Sequence, residues 1–231
     1  MIPCYNEEQR LPRTIEQIER FLDGRGESYE LILVDDGSTD GTRQIMDAAA
    51  ERNPAVQIEA LARNRGKGRA LAEGVAVARG MKVLITDADL STPIEELDKL
   101  EAALAAGAGA AIASRAVKGS RVEVSQPIYR VLMGKVFNLI VQAVLLPGIW
   151  DTQCGFKLFR ADIARDAFAH LTTDGFGFDP EVLYRVKRRG VRIAEVPVVW
   201  RNSAPTKVSA IRSSLDMLRH VVRVRFGSGR R

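Results

Sequence analysis

Two cysteines and two histidines are all that 231 residues contain, and this scarcity removes several chemistries at once. Cys4 and Cys154 make neither a disulfide framework nor a thiolate zinc site, and a reducing compartment is the simpler inference. Cys4 reads as a small core residue rather than a nucleophile. His170 and His220 are too far apart to suggest a metal cluster. Long hydrophobic runs are also missing: none reaches the roughly 18 to 20 residues needed to span a bilayer. The nearest, Val136 to Ile149, is interrupted by Asn138, Gln142, Pro147 and Gly148, and it reads evenly as a core helix or a lipid-contacting segment. No Gly-x-Gly-x-x-Gly follows the first strand and no Walker spacing occurs, so a dinucleotide fold and a P-loop ATPase both fail. Met1 leads almost directly into a polar, acidic segment, so no secretory leader is expected.

What the chain has is 46% apolar content, enough at this length for one large α/β domain with a substantial core. Charge is uneven. Residues 1–181 hold 21 Lys/Arg against 27 Asp/Glu, whereas 182–231 hold 13 against 2. Ile211 to Phe226 alternates Leu215, Met217, Leu218, Val221, Val222 and Val224 with Arg212, Arg219, Arg223 and Arg225. A basic amphipathic helix of this kind suits an anionic membrane surface. The competing reading is a solvated docking helix. Nucleic acid comes third, because no aromatic interleaving or nucleic-acid motif accompanies the charge.

Three apolar runs end in acidic residues: Met1 to Glu7, Leu31 to Asp36, and Val83 to Asp89. Leu31–Val34 and Val83–Thr86 have the length and composition of strands buried on both faces. Each tip opens into a helix. Ile15, Ile18, Phe21 and Leu22 carry helical spacing after the first; Ser38 to Thr42 offers N-caps for a helix over 43–52 after the second, with Asn53-Pro54 as its stop. Ser91-Thr92-Pro93-Ile94-Glu95-Glu96 starts a third. The pattern β-α-β-α-β-α predicts a mostly parallel sheet covered by helices. Only Met1-Ile2 precede the first tip, so the first strand is expected to be truncated, and two explanations stay open: a start lying upstream or a strand that is simply short.

In such a sheet, ligands bind beyond the carboxyl ends of the strands. Asp87 and Asp89 stand two apart where the chain leaves the pleat, so both can turn to one ion. Oxygen ligands of this kind favour Mg²⁺ or Mn²⁺ with substrate phosphates completing the shell. The bland alternative is a pair of helix-capping aspartates before Ser91. Asn64-Arg65-Gly66-Lys67-Gly68 brings a glycine-flanked lysine to a helix start, which reads as a phosphate or nucleotide contact.

Pro3-Cys4-Tyr5-Asn6-Glu7-Glu8, Val34-Asp35-Asp36-Gly37-Ser38-Thr39-Asp40-Gly41-Thr42, Asn64-x-Gly66-Lys67-Gly68 and Asp87-Ala88-Asp89 together resemble the inverting family 2 glycosyltransferases of GT-A fold. The second half adds Ser114-Arg115, Asp151 to Phe159, Phe178-Asp179-x-Glu181 and Val196-Pro197-Val198-x-Trp200. This ordered set is most similar to the polyprenyl-phosphate hexosyltransferases, dolichyl-phosphate β-glucosyltransferases above all. The resemblance implies a GT-A domain over 1–205, with a nucleotide-sugar half (1–115) and an acceptor half (116–205), followed by a basic helix over 206–231. It implies that Pro3, Tyr5, Glu7, Asp36 and Lys67 hold the sugar nucleotide, that Asp87 contacts nucleotide or metal, and that Asp89 ligates the metal. Arg115, Arg130 and Lys207 would bind the acceptor phosphate, and Asp151 would be an active-site acid. The expected reaction is hexose transfer, with glucose from UDP-glucose the first choice, to a polyprenyl or dolichyl phosphate at the cytoplasmic face of a membrane. GDP-mannose as donor, a soluble saccharide acceptor, and an inactive nucleotide-sugar module are the rivals. A nucleotidyltransferase is disfavoured, since Glu7 to Leu11 is no glycine-rich basic loop.

Overall fold

The structure is a computed structural model that describes residues 1–124, 128–202 and 210–227. The chain runs β1 (Ile2–Cys4), α1 (Leu11–Asp23), β2 (Leu31–Asp35), α2 (Thr42–Arg52), β3 (Val56–Ala60), α3 (Lys67–Val77) and β4 (Lys82–Ile85). It continues through α4 (Leu97–Ala105), β5 (Ala110–Ser114), β6 (Arg121–Val124), α5 (Ile128–Val144), β7 (Lys157–Arg160), α6 (Ala161–Ala169), α7 (Phe178–Arg188), β8 (Ile193–Pro197), β9 (Val199–Arg201) and α8 (Ala210–Gly227).

All five residues of β2 are buried, as a strand covered on both faces requires. It pairs in parallel with β1 and β3. The first strand is short but present, with Ile2 to Cys4 opposite Leu33 to Asp35. Met1 carries it further: its amino group donates to Leu84 O at 2.9 Å and its carbonyl accepts from Thr86 N at 3.1 Å, the slanted pattern of a parallel pair. Those two bonds bridge the three-stranded sheet β3-β2-β1 to the four-stranded sheet β4-β7-β5-β8. Only β7 runs antiparallel, to both β4 and β5. β6 and β9 form a separate parallel ribbon.

Strand alternation divides the core between the two faces. Ile32 and Val34 enter one cluster with Leu71, Ile85, Phe159, Phe168 and Phe178. Leu31 and Leu33 enter the other with Ile2, Leu11, Met46, Leu100 and Phe156. The helix after the third acidic tip begins later than the sequence suggests, because Ile94–Glu96 forms a single 3₁₀ turn before α4.

α5 starts at Ile128, well before Val136, and serves two environments. Phe137 and Val141 lie in the core, while Ile128, Leu132, Val136 and Leu139 form an outward stripe from 51 to 86% exposed. α8 docks through Val221 and Val224, which are buried with Met217 and Leu218 against the same core. Arg225 Nη1 donates to Tyr184 Oη at 3.3 Å. The basic C-terminal helix thus buries Val221 and Val224 against the protein. Among the described residues, no helix is long and apolar enough to cross a membrane.

Candidate active site

The first two acidic tips are stitched together. Asn6 takes a left-handed backbone, φ 57°, which asparagine tolerates better than most residues. Its Oδ1 accepts from Thr39 N at 2.8 Å, and its own N donates to Ser38 Oγ at 3.1 Å. Glu7 N donates to Thr42 Oγ1 at 2.7 Å. The Ser38–Thr42 residues, which look like helix caps in sequence, therefore spend two hydroxyls on the neighbouring tip. Arg10 Nε pairs with Glu7 at 2.9 Å, and Tyr5 stands 41% exposed at the end of β1.

Asp36 is 3% exposed, and its two oxygens accept from Arg65 N at 2.7 Å and Gly66 N at 2.8 Å. It acts on this structure as a clamp for the turn that delivers Lys67. Burial raises its pKa despite those two amides. Gly66 makes the turn possible, for its φ is +106° and a Cβ there would sit 2.6 Å from Asp174 O.

Lys67 opens α3 and pairs directly with Asp87 Oδ1, its ammonium also 5.7 Å from the Phe178 ring centroid. Burial works against both charges. Asp87 and Asp179 outweigh it to hold Lys67 above the usual lysine range, and Lys67, Lys157 and Arg115 outweigh it to hold Asp87 below the usual carboxylate range. The turn beyond β4 is set by Leu90 at φ 44°, a conformation costing on the order of 1–3 kcal/mol in a non-glycine residue. Thr14 Oγ1 of α1 donates to Ala88 O at 2.6 Å and holds the turn from behind. The result keeps the two aspartates on one acidic tip. Asp89 Oδ1 accepts from Ser91 N at 2.9 Å, and its Oδ2 lies 4.0 Å from Arg10. Its pKa is raised by burial and by the Asp87 charge.

Those facts fit a hard divalent cation. Two carboxylates repel each other there and Asp87 keeps 38% of its side chain open, although no group of three metal-ligating side chains occurs among the described residues. A Mg²⁺ or Mn²⁺ held by Asp87 and Asp89 would need its remaining positions filled by water and substrate phosphate.

Arg115 and Asp151 form the second pair. Asp151, 2% exposed, accepts from Arg115 Nε at 2.7 Å, Nη2 at 2.9 Å and backbone N at 2.9 Å. Arg115 also lies 5.2 Å from the Trp200 ring centroid. Burial disfavours the Asp151 charge, but Arg115 outweighs it and lowers the pKa. Glu195 of β8 then fixes the segment, accepting from Trp150 N at 2.8 Å and Asp151 N at 2.9 Å.

Lys157 and Asp179 make a third pair at 2.5 Å, exposed only 2 and 8% in their side chains. Lys157 also donates to Cys154 O, which fixes the turn leading into Gly155. Glu195, Lys157 and Asp179 received no role from sequence. The signal available in the sequence for the last two was an ionisable residue flanked by core positions, Phe156 and Leu158 or Phe178 and Pro180. Gly155 presses on Asp87: a Cβ there would fall 1.9 Å from Asp87 Oδ2. Gly155→Ala must drive that carboxylate off its position while leaving the strands untouched. Turnover should fall by about 10²-fold, the scale of an ångström-level misplacement, with a melting temperature close to that of the parent. Near-normal turnover would mean that the position of Asp87 does not matter.

The structure therefore brings Lys67, Asp87 and Asp89 together, sets Arg115 on Asp151, and leaves Pro3, Tyr5 and Glu7 at the β1 tip. Arg130 lies in α5 with its side chain outside the described residues, and Lys207 is outside them altogether.

Residues 1–168 match the family described as glycosyl transferase family 2. Among curated proteins, the chain is 33% identical to a dolichyl-phosphate β-glucosyltransferase of Dictyostelium discoideum, over 98% of this chain and 73% of that protein. It is 33% identical to the Homo sapiens protein of the same name, over 99% of this chain and 75% of the relative. Among solved structures, glucosyl-3-phosphoglycerate synthase of Mycobacterium tuberculosis in complex with Mn²⁺ and UDP-glucose superposes with a TM-score of 0.68 at 22% identity, covering 98% of this chain and 77% of that one. Mannosyl-3-phosphoglycerate synthase of Rubrobacter xylanophilus gives a TM-score of 0.74 at 18% identity, covering 100% and 74%.

Proposed function

The chain belongs to glycosyl transferase family 2 and has the GT-A fold, and from that premise we propose that it transfers glucose from UDP-glucose, with inversion, to a polyprenyl or dolichyl phosphate. The names of its curated relatives support the sugar and the lipid. The observation that carries the acceptor class is the Arg115–Asp151 pair. Asp151 is held ionised by three donors from Arg115 and is poorly suited to accept a proton from a hydroxyl. A phosphate monoester, with a second pKa near 6, arrives already anionic and needs little base help.

The remaining roles follow from charge. Tyr5, Glu7 and Pro3 at the β1 tip would receive the nucleoside, with Asp36 holding the loop that sets Lys67. Asp87 and Asp89 would hold Mg²⁺ or Mn²⁺, which when bound supplies Lewis-acid stabilisation of the departing diphosphate. Lys67 would neutralise the same diphosphate. Arg115, with Arg130 and Lys207, would orient the incoming phosphate, arginine being suited to paired hydrogen bonds with its oxygens.

A lipid acceptor calls for a membrane surface. The outward stripe of α5 and the exposed Val222 and Phe226 of α8, beside exposed Arg219 and Arg223, support contact with an anionic bilayer. Each cation near such a surface adds about 1 kcal/mol. Changing Arg219, Arg223 and Arg225 to Gln should weaken binding to phosphatidylserine-containing vesicles by roughly 100-fold at physiological salt. Unchanged sedimentation with vesicles would remove α8 from the membrane contact.

The reaction itself is tested by following labelled sugar from UDP-glucose, and in parallel from GDP-mannose, into a polyprenyl phosphate in detergent with Mg²⁺ or Mn²⁺. Metal-dependent label in the lipid phase from UDP-glucose is expected. Label from GDP-mannose alone would correct the donor, and donor binding with no lipid product would overturn the acceptor.

A further inference from the structure

The Lys67–Asp87 contact poses a problem for the proposed metal site, because a cation of the protein already sits on one of its two carboxylates. Around it the contacts close into a ring. Lys67 packs over Phe178, the neighbour of Asp179; Asp179 bonds Lys157; Lys157 holds Cys154 O; and the next residue, Gly155, abuts Asp87. Asp179, buried against Lys157, thus directly follows the Phe178 that Lys67 packs over.

On the reading that a metal and a nucleoside diphosphate bind here, we propose that Lys67 is an exchangeable occupant of the Asp87 carboxylate. With no donor bound it neutralises Asp87. When metal and diphosphate enter together, the ammonium leaves Asp87 for the diphosphate, and Asp179 is the positioning residue that keeps it in the site. The exchange explains why both cations can be accommodated beside two aspartates. Metal alone must evict Lys67 and return nothing to it, whereas metal with diphosphate gives Lys67 a new anionic partner. Binding of the two is therefore strongly coupled, and the coupling runs through this side chain.

Mn²⁺ binding to the full chain, followed by electron paramagnetic resonance with and without UDP, tests this without reference to sugar or lipid. Wild type should bind Mn²⁺ weakly alone and at least about tenfold more tightly with UDP. Lys67→Met should bind Mn²⁺ alone at least about tenfold more tightly than wild type, the effect of removing a unit positive charge in direct contact, and should lose most of the UDP enhancement. Asp179→Asn should weaken the enhancement, and a lowered melting temperature with the coupling intact would reduce Asp179 to a structural residue and overturn its part. Equal or weaker Mn²⁺ binding by Lys67→Met overturns the exchange alone. Failure of wild type to bind Mn²⁺ even with UDP or GDP overturns the donor-site reading as well. Should Lys67→Met not fold, a crystal structure of wild type with Mn²⁺ and UDP decides: Lys67 Nζ away from Asp87 supports the exchange, and Lys67 still bonded to it refutes it.

Discussion

Lys157→Met should cost about 3–5 kcal/mol of stability at neutral pH, the range for breaking a buried ion pair from one side. Asp179 would be left nearly sealed from water without its 2.5 Å partner, and the Cys154 carbonyl would lose its donor. Urea unfolding monitored by circular dichroism would show the midpoint falling, and a loss below about 1 kcal/mol would mean that Asp179 finds another partner. The sign of the pH dependence is fixed by the stranded carboxyl. Burial already raises the Asp179 pKa even with Lys157 present. A group whose folded pKa lies above its unfolded value, near 3.9, favours folding only below that value, and the benefit disappears as pH rises through the folded pKa. The deficit of the variant should therefore be smallest near pH 4 and should grow toward neutrality. Adding Asp179→Leu should recover much of the loss, since apolar replacement of a buried pair is often neutral or stabilising.

Asp89→Ala should produce the opposite profile, a large loss of turnover with the fold intact. Asp89 is partly exposed, it is bonded to Ser91 N, and its pKa is raised by the adjoining Asp87, so its removal relieves like-charge repulsion. The stability change should stay within about 1 kcal/mol, the scale of one cap-like hydrogen bond. Turnover should fall by about 10²–10³-fold or more, as expected for losing a group that stabilises developing charge. The decisive measurement is the initial rate across a Mn²⁺ and Mg²⁺ titration. Full activity with an unchanged metal requirement would exclude Asp89 from the mechanism.

The contrast between these two variants marks where the sequence was readable. Asp89 was visible because its spacing from Asp87 and its position after Val83–Thr86 are local facts. Lys157 was not, because its role depends on Asp179, 22 residues away on another element, and on the way β7 enters the sheet antiparallel between β4 and β5. Glu195 shows the same limit. It reaches the backbone of Trp150 and Asp151 only because β8 pairs with β5, whose end carries Arg115. Ser38 and Thr42 have the local chemistry of caps, but the tertiary neighbour, the β1 tip, takes their hydroxyls instead.

By itself, the sequence determined the alternation of strands and helices, the acidic strand tips and the family, and it named the candidates for the metal and the nucleotide. Each of these rests on short-range spacing: two apart for the aspartates, a run of apolar residues for a strand, a glycine-flanked lysine at a helix start. The tertiary structure decided that Asp36 clamps a loop, that Asp151 is locked to Arg115, that Lys67 rests on Asp87, and that α8 buries Val221 and Val224 in the core. A charge signals its type along the chain, but its partner is chosen by which distant elements the sheet brings within hydrogen-bond reach.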